Sequence, residues 1–80
     1  MEISILAFGI AKDIFGAPLI RIELGDNAHT GMLKTALELK YPRLKQLVSY
    51  MLAVNNEYAQ DADLINERDE VAIIPPVSGG

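Results

Sequence analysis

Two strongly apolar runs bracket this chain: "EISILAF" at residues 2–8 and "VAIIP" at residues 71–75. Each reads as a strand. The first alternates at its start and becomes continuous, as expected for a strand buried on at least one face. The second is apolar throughout, as expected for a central strand, and Pro75 and Pro76 end it. Two such strands at opposite ends of a chain pack best side by side in the centre of one sheet. Parallel neighbours need a long crossover, and a helix supplies one. The constraint is therefore a mixed sheet with a helix laid across it.

The intervening residues supply the parts. "GIAKDIFGAP", residues 9–18, is a glycine-bounded connection with room for one or two helical turns. "PLIRIELG", residues 18–25, alternates Leu19, Arg21, Glu23 against Ile20, Ile22, Leu24 and predicts a strand that forms a hairpin with the first. Thr30 is the expected N-cap of a helix over residues 31–41, with Met32, Leu33, Ala36, Leu37 and Leu39 along one broad side. Pro42 stops it. Leu44, Leu47, Val48 and Met51 then recur at helical spacing and predict a shorter second helix. "MLAVNNEYAQ" reads as a strand, a tight Asn55-Asn56 turn and a returning strand containing Tyr58. The order is β-β-α-(α)-β-β-β, an α+β fold with a mixed sheet of about five strands.

Composition sets limits on what such a fold can do. The 80 residues are half hydrophobic, enough for one compact core in a chain that buries only about 60–65% of its unfolded surface. There is no cysteine, which excludes a disulfide staple, thiolate metal ligation and a cysteine nucleophile. The net charge of −4 argues against nucleic acid and against an anionic membrane surface, and it permits a basic partner protein. "MEISILAFG" has no basic leader region, and no apolar run reaches the ~20 residues of a membrane span, so a cytoplasmic protein is expected.

The side chains offer no recognisable active site. "DADLINERDE" carries Asp61, Asp63, Glu67, Asp69 and Glu70, but a calcium loop starting at Asp61 needs glycine where Asn66 stands and glutamate where Ala72 stands. It reads as a solvated loop, or as a charged rim that steers a basic partner, and no metal is expected. His29 is the single histidine and has no nucleophile arranged with it. "FGIAKDIFG" lacks the ending of a phosphate-binding loop.

The ending "PPVSGG" has two readings. It is either an ordinary frayed terminus or a reactive handle. A terminal carboxylate becomes reactive once another enzyme converts it to an acyl-adenylate. To be processed inside a second protein, it must pass through a narrow channel, and glycine, with no Cβ, keeps the backbone thin. Pro75 and Pro76 hold the base of such a tail extended. Six residues at about 3.3 Å each reach ~20 Å, enough to enter a buried pocket. The expected division is a domain over 1–74 and an extended tail over 75–80.

These features together resemble the MoaD/ThiS family of β-grasp sulfur carriers, and in particular its MoaD-type members, the small subunits of molybdopterin synthase. "DEVAIIPPVSGG", residues 69–80, is close to that family's ending. "AKDIFG", "LKYPRL" and "LAVNNEYA" support it. The resemblance implies a ubiquitin-like β-grasp roll. It implies that Gly80 is adenylated by a partner related to ubiquitin-activating enzymes and converted to a thiocarboxylate, with Gly79 as the slim residue behind it. The sulfur then goes to a pterin precursor in the large catalytic subunit, during molybdenum cofactor biosynthesis. It implies no cofactor on this chain, ATP used by the activating adenylyltransferase, and a heterotetramer of two large and two small subunits. A docking patch on Phe8, Tyr58 and Ile74 is implied, with Pro75, Pro76, Val77 and Ser78 contacting partners along the tail. Ile74 replaces a frequent aromatic there, and Tyr58 a frequent aliphatic. If Ile73 faces inward, alternation turns Ile74 out.

Other readings stay open. Carriers for thiamine synthesis, tRNA thiolation or cysteine synthesis share the fold and the double glycine. A ubiquitin-like modifier would join Gly80 to lysines of other proteins. A plain β-grasp adaptor would carry an inert tail.

Overall fold

The computed structural model describes residues 1–47 and 49–75. The chain runs β1 (Glu2–Ala7), α1 (Gly9–Phe15), β2 (Leu19–Glu23), α2 (Thr30–Lys40), a 3-10 turn (Pro42–Gln46), β3 (Met51–Val54), β4 (Glu57–Tyr58) and β5 (Val71–Ile74). The strands form one sheet in the order β2-β1-β5-β3-β4. The two bracketing strands are indeed neighbours: β1 and β5 pair in parallel, with Ile5 opposite Val71 and Ala7 opposite Ile73. All other pairings are antiparallel. This is the expected β-grasp roll.

Alternation sorts each strand between two faces. Ile3 and Ile5 on β1, Val71 and Ile73 on β5 and Leu52 on β3 are wholly buried, together with Leu33 and Leu37 of α2, Ala11 and Phe15 of α1 and Leu44 of the 3-10 turn. Both helices therefore cover the same face. Each fully buried leucine or isoleucine contributes about 1.5–3 kcal/mol of transfer free energy. Phe15 meets Tyr41 in a tilted pair with ring centroids 4.7 Å apart. Tyr50, just before β3, ties that strand to α2 by donating its hydroxyl to the Glu38 carboxylate at 2.5 Å.

The glycine-bounded connection forms the helical turns expected of it, a seven-residue helix closed by Gly16 at φ 76°. Other local expectations change. Thr30 does not cap α2. His29 does: its Nδ1 accepts from the Met32 N–H at 3.3 Å. Thr30 is instead the first helical residue and is fully buried, its hydroxyl donating to the Asp63 carbonyl at 3.1 Å. The buried stripe of α2 is also narrower than expected, since Met32 and Leu39 are exposed, Leu39 by 74%.

The predicted second helix is only the 3-10 turn over Pro42–Gln46, and Met51 belongs to β3. Proline suits the first turn of a helix, where its missing N–H costs nothing. Beyond Gln46 the chain must extend, because β3 hydrogen-bonds β5 from Met51 to Val54. Pairing in the sheet overrides the local helical spacing. Val48, part of that spacing, lies outside the described residues.

Candidate functional site

Among the described residues no helix covers the second face of the sheet, and the residues of that face change character along the strands. At one end Glu2 lies opposite Glu23 and Ser4 opposite Arg21, with a loose Glu2–Arg21 ion pair at 3.8 Å. At the other end the positions are apolar. One row crosses all five strands: Leu19, Leu6, Ala72, Ala53 and Tyr58, each opposite the next. Beyond it Met51 lies opposite Ile74. Leu19, Met51, Tyr58 and Phe8 are all more than 40% exposed.

This apolar end is where β5 leaves the sheet. Being parallel, β1 and β5 finish at the same end of the sheet. β1 turns aside. It ends at Ala7, Phe8 is still extended, and Gly9 takes φ 55° to start α1. This left-handed conformation favours glycine. Pro75 packs against the turn: a methyl group added to Gly9 would meet Pro75 Cγ at 3.6 Å.

Phe8, Tyr58 and Ile74, which are distant in sequence, meet around one groove of about 310 Å³. The small side chains of Ala53 and Ala72 leave the hollow, Leu6 extends it, and Asn56 and Glu70 supply its polar rim. Ile73 is fully buried and Ile74 lines the groove, so the alternation between them is as expected. The Asn55-Asn56 turn places the rim. Both residues hold positive φ, 53° and 68°, and return the chain so that Tyr58 stands opposite Ala53.

Pro75 stands at the end of β5, half-buried. Pro76, Val77, Ser78, Gly79 and Gly80 lie outside the described residues. Leu6, Leu19, Met51, Ala53 and Ala72 complete the apolar face but escaped the sequence reading. Leu6 could have been found, because it is apolar in the outward register of a strand whose inward positions are Ile3, Ile5 and Ala7.

The groove is mainly apolar, and Asn56, Tyr58 and Glu70 carry its polar groups. Among the described residues, no group of three or more histidine, aspartate or glutamate side chains is placed to hold a metal ion. No helix among them is long and apolar enough to cross a membrane. An exposed apolar face with a polar rim is the signature of a protein-docking surface.

The chain is similar to known proteins over its whole length. The model of the ThiS family matches residues 5–80. The molybdopterin synthase sulfur carrier subunit of Arabidopsis thaliana is 38% identical over 81 residues, covering all of this chain and 84% of that protein. Two solved structures share the fold. Small archaeal modifier protein 1 of Haloferax volcanii superposes with a TM-score of 0.83 at 21% identity, covering 95% of this chain and 98% of its own. One chain of the complex of subunits 1 and 2 of the molybdopterin-converting factor from Helicobacter pylori gives a TM-score of 0.70 at 21% identity, covering all of this chain and all of that one.

Proposed function

This chain belongs to the ThiS family, and on that premise we propose that it is the sulfur-carrying small subunit of a molybdopterin synthase. The observation that supports this most is the 38% identity to a named sulfur carrier subunit across the whole of this chain. Residues 1–74 are the folded carrier, and residues 75–80 are the segment that is worked on. The Gly80 carboxylate, being anionic, repels nucleophiles. An adenylyltransferase related to ubiquitin-activating enzymes uses ATP to convert it to an acyl-adenylate, whose AMP can leave when sulfur attacks. The resulting thiocarboxylate donates its sulfur to the pterin precursor inside the large catalytic subunit.

In this reading the chain binds no cofactor and performs no catalysis alone. Gly79, Ser78, Val77, Pro76 and Pro75 pass through the partner's channel. The groove of Phe8, Tyr58 and Ile74 docks the partner at the root of that segment. The working assembly has two large and two small subunits, in the cytoplasm.

The test is intact mass of the chain after incubation with its activating enzyme, ATP and a sulfur source. The expected result is the gain of one sulfur for one oxygen, absent when Gly80 is deleted. An unchanged mass with a competent enzyme overturns the proposal. Covalent adducts on lysines of other proteins would instead mark a modifier.

A further inference from the structure

Glu70 is the charged group on the groove, and its backbone is clamped. The Asn55 N–H donates to the Glu70 carbonyl at 2.8 Å, and the Glu70 N–H donates to Asn55 Oδ1 at 3.0 Å. The neighbouring carboxylate, Asp69, is fully employed. One oxygen accepts from Asn55 Nδ2 at 3.0 Å and the other from the Asn66 N–H at 2.8 Å. The Glu70 carboxylate has no such partner among the described residues. The ion pairs among the described residues are Glu2–Arg21 and Lys34–Asp61, and neither involves it. A rigidly placed backbone thus sets Glu70 beside an apolar hollow, its carboxylate without a hydrogen-bond or ion-pair partner among the described residues.

Two further groups share that rim. The Tyr58 ring is 66% exposed, and Asn56 contributes an amide. A carboxylate, an amide oxygen and an open aromatic face together match one side chain best. A guanidinium pairs with carboxylates through two parallel hydrogen bonds and stacks on aromatic rings, whereas an ammonium is a point charge. The arginine stem is apolar and lies well along aliphatic surface such as Ile74. A nucleic acid or lipid phosphate would be repelled by Glu70 and by the net charge of −4.

We propose that the groove recognises an arginine of the partner protein, its guanidinium held by Glu70 between Asn56 and Tyr58 and its stem against Ile74. This rests on the sulfur-carrier reading, since the partner used to test it is the large subunit.

The test measures calorimetric affinity of the full chain for that large subunit at low and high salt. The variants are Glu70→Gln, Glu70→Arg and, as a control outside the groove, the exposed Glu67→Gln. Thermal unfolding verifies that each is folded. Expected is a loss of about tenfold for Glu70→Gln and about a hundredfold or more for Glu70→Arg, with Glu67→Gln within about twofold of the parent. The salt dependence of binding should weaken in Glu70→Gln. Replacing large-subunit arginines one at a time should reveal one whose loss is non-additive with Glu70→Gln. Parent-like affinity and salt dependence for Glu70→Gln would overturn the inference while leaving the carrier reading intact. So would coupling only to a lysine, or to no basic residue. Failure of the parent chain to bind the large subunit would overturn both.

Discussion

Ile74 on β5 stands directly opposite Met51 on β3, on the sheet face that no helix among the described residues covers. Ile73, one residue earlier, stands opposite the fully buried Leu52. Two adjacent isoleucines thus serve two different surfaces.

That difference is measurable. Ile73→Ala removes a fully buried side chain and should cost about 2–5 kcal/mol. Ile74→Ala should cost under about 1 kcal/mol, in line with replacements outside the core. Urea denaturation of the two variants gives both numbers. Equal losses would mean that both faces are core.

Affinity should show the opposite ranking. Phe8→Ala and Tyr58→Ala each truncate an exposed ring on the groove, so neither should move the unfolding midpoint much. Each should weaken binding to the large subunit by about tenfold, as loss of an aromatic interface anchor does. Calorimetric titration decides it; unchanged affinity would move the docking surface elsewhere.

Tyr50 predicts a pH effect. Burial, and then the hydrogen bond and charge of Glu38, push its phenol well above the usual tyrosine value. The folded state therefore holds the proton more tightly than the unfolded chain, where tyrosine titrates near pH 10. The stabilisation is fully present below about pH 10 and is lost as pH rises from there through the folded value. Tyr50→Phe should cost about 1 kcal/mol at neutral pH. It should also flatten this part of the alkaline decline. Urea midpoints from roughly pH 8 to 11, parent against variant, test it.

The two turn asparagines should respond differently to glycine. Both have positive φ, which glycine adopts freely. Asn56→Gly recreates a favoured hairpin sequence and should be neutral or stabilising by a few tenths of a kcal/mol. Asn55→Gly also relieves the backbone but loses the side-chain bonds to Asp69 and Glu70, and should cost about 1–2 kcal/mol. Thermal melts of the two variants suffice.

The sheet's centre was legible because Ile3, Ile5, Val71 and Ile73 carry their burial in their own pattern. Local devices were less so. Met51 fits both a helical spacing from Leu44 and a strand alternation, and only pairing with Ile74 decides between them. Thr30 is the better cap by residue type, yet the Asp63 carbonyl claims its hydroxyl and leaves the role to His29. The groove was half legible. Phe8, Tyr58 and Ile74 came from a family resemblance, while Leu19, Met51, Ala53 and Ala72 join them only through strand register, which no local pattern reveals. The expectations for residues 76–80 lie outside the described residues.

The parallel pairing of β1 with β5 also governs when the domain can exist. β5 lies between β1 and β3, so a chain cut before Val71 retains two hairpins, β1-β2 and β3-β4, with no strand to join them into one sheet. During synthesis, the sheet must wait for its fifth strand before its first has a neighbour on that side. Such distant contacts slow folding. They also prevent an unfinished chain from presenting a finished groove, because Ile74 and the end of the groove arrive with the strand that closes the sheet.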